Sequence, residues 1–377
     1  MNQALQVTSW LNMNNMNVQD KWNFIFQIYN TNTTSFIPEG LSFGGGIPDQ
    51  KWMTRDAGQA RKKKMEKWVV HRKKRTQESF ATYVRARNDS VRAIRLAKQN
   101  FEVKIAEDIR RGDSRVFYSY LRSKTSIKEE VSKVTKANGT LSINTKETVD
   151  TMNRTFQSVF VREGNEPVPQ INFLFDGIPL CNFEFDVPEV HKILSNLKES
   201  SAPGPDDIHP KVLKECADNL ALPLYLLFRD SLDTSIIPDL WKTAYVTPIY
   251  KKGIKSDPLN YRPISLTSVP CKIFEKILRN RIIEHLEAHN ILSIHQHGFR
   301  SNRSCLTQLL EYFLEVHDIL DEHDPVDAIY LDCKKAFDTV PHRRLLAKLQ
   351  AYGITGKVLK WIECFLSDRS QRVIVKG

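Results

Sequence analysis

The sequence has few cysteines and no long apolar run. Its six cysteines are scattered and form no C-x-x-C pair, which argues against a zinc ribbon and is typical of free thiols in a reducing compartment. No stretch approaches the roughly 18 apolar residues of a membrane span, and the first residues lack the basic and apolar regions of a secretory signal. We therefore expect a nuclear or cytoplasmic protein, or both, with no membrane partner.

Excess positive charge is absent outside one segment. Residues 51–124 hold 22 Lys and Arg against 8 Asp and Glu, a net charge of +14, whereas the rest of the chain carries −3 of the total of +11. This concentration is expected of a segment that contacts a polyanion such as nucleic acid. A solvated charged helix is the alternative interpretation.

The spacing of apolar residues in this segment predicts a long helix. Two basic clusters, 61–64 and 72–75, precede it. Apolar residues then recur at intervals of sevens, threes and fours, which predicts one apolar face on the helix. These residues are Val84, Val91, Ile94, Phe101, Ile105 and Ile109.

The pattern divides the chain into four regions. Residues 1–50 form a polar segment, 51–125 a basic helical region predicted to bind nucleic acid, and 126–185 a hairpin, a short helix and a linker. Asn138-Gly139 predicts a tight turn, and Asn144 with Glu147 predicts the start of a helix that buries Val149, Met152 and Phe156.

The fourth region, 186–377, alternates helices with short strands and predicts an α+β fold. Asp186 is the expected cap of its first helix. Two strands are predicted at Thr243–Tyr250 and Tyr261–Leu266. Further elements are predicted as helices at 271–288, 305–320, 343–351 and 356–367, a buried strand at 328–331 and a final strand at 372–375.

Asp332 follows the predicted buried strand. An acid at this place projects into the cleft where metal-dependent phosphoryl transfer is often performed. A lone Asp after a strand is more often a turn or cap residue, so the choice between this role and metal binding depends on other motifs.

Four motifs in order resemble the reverse transcriptases of non-LTR retrotransposons. YLDCKKAFDTV (330–340) resembles the first palm motif of that family, L-D-x-x-K-A-F-D. Three segments before it are also similar to family motifs: SAPGPDDIHP (201–210), VTPIYKKG with NYRPISL (246–266), and QHGFRSNRSC (296–305). They span about half of the chain. The region upstream is more weakly similar to the linker that precedes the polymerase in jockey- and CR1-like elements.

The resemblance implies the fingers and a partial palm of a right-hand polymerase. It implies that Asp332 ligates two Mg²⁺ ions, assisted by the backbone carbonyl of Cys333, in a two-metal nucleotidyl transfer. Phe337 would reject a ribose 2′-hydroxyl. Arg262, with Lys251 or Lys252, would hold the triphosphate of the incoming nucleotide.

The implied partners are an RNA template, a DNA primer and deoxynucleoside triphosphates. Arg300 and Arg303 would contact the template or nucleotide, with helix capping as the alternative. A cluster of four cations is predicted to contact nucleic acid: Arg72, Lys73, Lys74 and Arg75.

The sequence departs from the family in two places. Asp207 stands where the family has Gly, which predicts an altered loop. The family continues past the last strand into G-x-P-Q-G and [FY]-x-D-D motifs, neither of which these residues contain. We therefore expect a truncated polymerase with uncovered apolar surface and no appreciable activity alone. A non-catalytic RNA- or DNA-binding remnant is the alternative function.

Four histidines lie close together in the sequence: His285, His289, His295 and His297. The first two are four residues apart on a predicted helix, a spacing that metal sites use. Basic side chains near a helix end also complement its dipole, and no cysteine joins these residues. We favour that role over a metal site.

Overall fold

The computed structural model describes residues 1–37, 52–111, 133–161 and 175–375, with a few further residues between 117 and 171. Contacts divide the chain into two compact units, Glu39–Glu129 and the combination of Met1–Pro38 with Glu130–Gly377. The boundaries predicted at 50 and 125 lie outside the described residues.

The α-helices of the described residues are numbered in chain order. They are α1 (Asn2–Gln6), α2 (Val18–Phe36), α3 (Arg55–Lys74), α4 (Gln77–Arg110), α5 (Thr145–Gln157), α6 (Val187–Ser195), α7 (Pro210–Glu215), α8 (Ala217–Thr234), α9 (Val269–Ala288), α10 (Cys305–Asp321), α11 (His342–Ala351) and α12 (Gly356–Leu366). The strands are β1 (Thr243–Tyr250), β2 (Tyr261–Leu266) and β3 (Ser370–Val373).

Two helices begin at the capping residues that the sequence predicted. The side chain of Asn144 accepts a hydrogen bond from the backbone N–H of Glu147, and Asp186 accepts one from Glu189. Each satisfies a backbone donor that the first helical turn leaves unpaired. The Asn138-Gly139 turn is also present, with φ of +80° at Gly139.

A chain of contacting aromatic rings runs through the main core of the larger unit. Trp22 of α2 packs edge-on against Trp241, with ring centroids 5.6 Å apart, and Trp241 contacts Phe228 of α8. Phe274 of α9 lies between Phe228 and Trp361 of α12. Burial of these large rings, together with the aliphatic side chains of the same core, stabilises the packing of the helices.

The described part of the predicted polar segment, 1–37, contains a helix with an apolar face. Val18, Trp22, Ile25 and Tyr29 of α2 are all buried, and their spacing of three and four residues places them on one face. This face belongs to the main core.

The sheet has the strand order β2-β1-β3. β1 and β2 are antiparallel, with Thr247 opposite Ile264, and β1 and β3 are parallel, with Val246 opposite Val373. Both predicted strands of the hairpin are confirmed, and the final strand begins two residues earlier than predicted.

The buried strand predicted at 328–331 is wrong. The segment has no strand, and Ile329, Tyr330 and Leu331 are 80–92% exposed. A strand needs a hydrogen-bonded neighbour to be stable, and the sheet of the described residues offers it none. α10 also exposes much of its apolar side, including Leu306, Leu314 and Phe313.

The smaller unit contains α3 and α4, which are joined at Arg75 and Thr76 and pack on each other. The buried residues of α4 are mostly small: Ser79, Ala86, Ser90, Ala97 and Ile105. The predicted apolar face is therefore only partly correct, because Val91 and Ile109 are exposed. Small side chains at the contact let the helix axes approach closely.

Candidate nucleotide and nucleic-acid site

The β1–β2 hairpin gathers three cations near its turn. Arg262 lies opposite Ile249 in the antiparallel pair. The backbone N–H of Lys251 donates to the carbonyl of Asn260 at 2.9 Å, which extends the ladder by one bond beyond the strands. Lys251, Lys252 and Arg262 are exposed. Two short strands thus present a planar guanidinium and two ammonium groups at one end of the hairpin.

The hairpin turn is held by a polar side chain. The amide of Asn260 donates to the carbonyl of Ile254 at 3.0 Å, and Gly253 has a φ of +93° that favours glycine. Among the described residues, no acidic side chain pairs with Lys251, Lys252 or Arg262. Their charges are therefore available to an anionic ligand.

The loop 201–210 packs tightly against the residues that follow β2, at the end of the hairpin opposite the turn. A Cβ placed on Gly204 would lie 2.4 Å from the carbonyl carbon of Thr267, so only glycine fits this approach. Asp206 is buried, and its Oδ2 has no hydrogen-bond partner in the part of the chain that the structure describes. Burial raises the pKa of the Asp206 carboxyl.

Asp207 adopts the left-handed conformation that the family's glycine would favour. Its φ is +51°, and its backbone N–H donates to the Gly204 carbonyl at 3.1 Å. Aspartate tolerates this region better than most residues that have a Cβ. The turn is therefore formed despite the substitution that predicted an altered loop.

Arg300 and Arg303 hold the loop between α9 and α10. The Nη1 atom of Arg300 donates to the Ser293 carbonyl at 3.0 Å, and that of Arg303 donates to the Ile294 carbonyl at 2.6 Å. Arg300 also lies 3.5 Å from the carboxylate of Glu287. Both guanidinium groups donate hydrogen bonds to backbone carbonyls within their own loop.

The segment around Asp332 is irregular and exposed. Asp332 and Cys333 have no regular secondary structure. Phe337 is 81% exposed and meets the ring of Phe299 edge-on at 5.9 Å. Two of the four sequence motifs, 296–305 and 330–340, thus touch through these rings. No hydrogen bond or ion pair among the described residues joins Asp332 to Arg262.

The described residues do not form a magnesium site around Asp332. Mg²⁺ requires several oxygen ligands in near-octahedral geometry. In the described part of the chain, the cluster of three His, Cys, Asp or Glu ligands lies elsewhere, at His295, Glu311 and Glu315. Asp332 and the Cys333 carbonyl are not sufficient to hold two ions.

The second cationic surface lies in the smaller unit. Four exposed cations, the basic cluster, occupy the end of α3 and the residue after it: Arg72, Lys73, Lys74 and Arg75. Arg75 closes the helix in a left-handed conformation, with a φ of +50°. The C-terminal dipole of α3 favours positive charge there.

Comparison with known proteins agrees with these motifs. Residues 249–377 match the family model described as reverse transcriptase (RNA-dependent DNA polymerase). We call these residues the reverse transcriptase region. This reverse transcriptase region contains the turn lysines, Arg262, the two loop arginines, Asp332 and Phe337.

Curated relatives extend the similarity upstream of the reverse transcriptase region. The chain is 30% identical over 197 residues to a protein named "Probable RNA-directed DNA polymerase from transposon X-element" of Drosophila melanogaster, covering 52% of the chain and 22% of the relative. It is 28% identical over 190 residues to the RNA-directed DNA polymerase from mobile element jockey of the same species, covering 50% of the chain and 21% of the relative. The predicted resemblance to non-LTR polymerases is confirmed.

The aligned part corresponds to about a fifth of the length of these relatives. Reverse transcriptases are in general polymerases that depend on divalent metal ions and act on a nucleic-acid template and nucleotides. None of the described helices is both long and apolar enough to cross a bilayer.

Proposed function

We propose that this chain contributes the fingers and part of the palm to an RNA-directed DNA polymerase of a non-LTR retrotransposon. Its substrates in the longer protein would be an RNA template, a DNA primer and deoxynucleoside triphosphates. The observation that carries the proposal is the hairpin of the reverse transcriptase region, which presents Lys251, Lys252 and Arg262 near its turn without an acidic partner among the described residues.

The hairpin cations are suited to a triphosphate. A guanidinium makes two parallel hydrogen bonds to phosphate oxygens, and an ammonium adds a point charge. Arg262 is assigned the bidentate contact with the triphosphate, and Lys251 or Lys252 is assigned a second contact with it. The rigid antiparallel ladder supports this role because it fixes the direction from which Arg262 leaves the sheet.

Asp332 is assigned as one ligand of the catalytic Mg²⁺ ions, with the Cys333 carbonyl as a second oxygen. Bound Mg²⁺ supplies charge stabilisation for nucleotidyl transfer. Phe337 is assigned the discrimination against ribose. Its contact with Phe299 supports the assignment, because it joins Phe337 to the loop whose arginines, Arg300 and Arg303, are assigned to the template side.

The test is binding of a nucleotide to the purified chain, measured by ultraviolet crosslinking of radiolabelled dTTP. Arg262→Gln should weaken binding about tenfold or more, since a hydrogen bond to a charged group contributes roughly 1.5–3 kcal/mol. Thymidine monophosphate should compete poorly, because the contact is made to the triphosphate.

Arg154→Gln is the matched control, because Arg154 is an exposed arginine on α5. It should leave crosslinking unchanged. Equal crosslinking of the wild-type and Arg262→Gln chains would show that the hairpin does not bind the triphosphate.

A second function is supported by the smaller unit. The basic cluster and most of the further cations of α3 and α4 are exposed on two packed helices, which supports a non-catalytic module that binds RNA or DNA. Short Lys- and Arg-rich runs also serve in nuclear import. We therefore propose a nuclear location, a cytoplasmic one, or both.

A further inference from the structure

The structure separates the four clustered histidines into two pairs. In the first pair, His285 Nε2 lies 2.8 Å from the carbonyl oxygen of Tyr352, and His289 Nδ1 lies 2.9 Å from that of His285. A carbonyl oxygen only accepts hydrogen bonds, so both nitrogens carry protons. These two atoms are therefore engaged in holding the end of α9.

The second pair faces two carboxylates of α10. His295 Nδ1 lies 2.5 Å from Oε1 of Glu311 and 3.9 Å from Oε1 of Glu315. His297 Nε2 contacts the other oxygen of Glu311. Glu311 and Glu315 are one helical turn apart and so share a face of α10. The potential ligand atoms of His295, Glu311 and Glu315 all lie within 4.8 Å of one another; His297 lies outside this three-residue cluster and contacts it through Glu311.

A neighbouring hydroxyl fixes the orientation of His297. Its Nδ1 lies 2.7 Å from Oγ1 of Thr307, whose own proton is directed to the carbonyl of Ser304 at 2.9 Å. Nδ1 therefore donates its proton to Thr307, and in a neutral imidazole this leaves a lone pair on Nε2. That lone pair points at a carboxylate. Two such groups approach each other only when a proton or a metal ion lies between them.

We propose that His295, His297, Glu311 and Glu315 bind one divalent transition-metal ion, with Zn²⁺ as the best fit. Imidazole nitrogen and carboxylate oxygen bind zinc at about 2.0–2.2 Å in tetrahedral sites. Mg²⁺ fits poorly, because it takes oxygen ligands and gives up its water reluctantly. The hydrogen bond from His297 to Thr307 is the outer-shell support that zinc-binding histidines commonly have.

The ion connects α10 to a motif of the reverse transcriptase region. Arg303 Nη1 lies 3.1 Å from His297 Nε2 and 4.0 Å from Glu311 Oε2. Because a metal ion takes the lone pair of Nε2, Arg303 then loses this acceptor and keeps the Ile294 carbonyl. Zinc would fix the loop that contains Arg303 onto α10 independently of any chemistry at Asp332.

The test is a calorimetric titration of Zn²⁺ into the full chain after chelator treatment and dialysis. One equivalent should bind. His295→Ala and Glu315→Gln should each weaken that site more than about tenfold, since even the loss of an outer-shell partner has effects of 10- to 100-fold. Both side chains are about 60% exposed, so neither change should prevent folding.

Three controls use residues outside the cluster. His317→Ala and Asp318→Asn change the same helix at exposed positions, and Asp332→Ala changes the proposed polymerase site; all three should bind zinc like the wild type. An excess of Mg²⁺ should not displace it. The absence of saturable binding, or equal affinity in His295→Ala, Glu315→Gln and the controls, would show that only protons join these histidines to Glu311.

Discussion

Gly204, Asp206 and Asp207 show how single residues fix the loop that precedes α7. Gly204 lets the loop approach the backbone of Thr267, and Asp207 supplies a left-handed turn. Between them, Asp206 is buried with one carboxylate oxygen unpaired among the described residues. Such a group disfavours folding in its charged form, because burial removes water from the carboxylate.

This burial predicts a specific pH dependence. The pKa of Asp206 is raised in the folded state, so the folded chain binds more protons than the unfolded chain above the ordinary aspartate pKa of about 3.9. Stability attributable to this residue is therefore present below that pH and is lost as the pH rises through the folded pKa. Asp206→Asn should remove this loss of stability at higher pH, because the asparagine side chain does not ionise.

Thermal unfolding of the wild-type and Asp206→Asn chains from pH 4 to pH 8 measures the effect. The melting temperature of the variant relative to that of the wild type should increase with pH. Asp207→Asn, at the exposed neighbouring position, should show no such trend. A difference for Asp206→Asn that stays constant across this range would contradict the prediction.

The structure of the loop 201–210 could be predicted only in part from its sequence. The motif placed the loop correctly, but the substitution at Asp207 predicted a change that the backbone does not show. Local hydrogen bonding and the tolerance of aspartate for positive φ preserve the turn. Neither the burial of Asp206 nor its unpaired oxygen could be predicted, because both depend on contacts distant in the sequence.

Among the elements, helices and strands with local signals were predictable. The capped helices α5 and α6 and the β1–β2 hairpin match their sequence patterns because caps, alternation and turn residues act within a few positions. The segment 328–331 has high strand propensity but no neighbour in the described sheet. Tertiary pairing, which the sequence pattern does not contain, decides its conformation.

The position of α2 also depends on contacts with residues that are distant in the sequence. Trp22 is 1% exposed and contacts Trp241, and the buried Lys21 forms an ion pair with Asp230 of α8. Tyr29 accepts a hydrogen bond from the backbone N–H of His209 at 2.9 Å. The first 37 residues are therefore part of the core that supports the reverse transcriptase region.

Trp22→Ala should lower the free energy of unfolding by about 3–5 kcal/mol, the cost of removing a large aromatic ring from a packed core. Phe36→Ala on the same helix, where the ring is 54% exposed, should cost less than about 0.5 kcal/mol. Urea unfolding followed by circular dichroism measures both. Equal midpoints for the Trp22→Ala and wild-type chains would mean that α2 does not stabilise the core.

At the scale of the whole molecule, charge is distributed unequally between the parts of the chain. The net charge of +14 in residues 51–124 and of −3 elsewhere concentrates the attraction for phosphates in the smaller unit. The larger unit contains the reverse transcriptase region and the hairpin that we propose binds the nucleotide. A polymerase must bind both its template and the incoming nucleotide, and we propose that different segments of this chain serve the two roles.

The most direct test of this account is the salt dependence of binding to an RNA–DNA template–primer. The logarithm of the affinity should fall linearly with that of the salt concentration, by about 0.9 for each neutralised phosphate. Changing Arg72, Lys73, Lys74 and Arg75 to Gln should reduce the slope by up to about 3–4. The same change at Lys192, Lys198, Lys272 and Lys276, which are exposed in the larger unit, should leave it nearly unchanged. Affinity that does not respond to salt, or a slope that the first set of changes does not alter, would contradict the account.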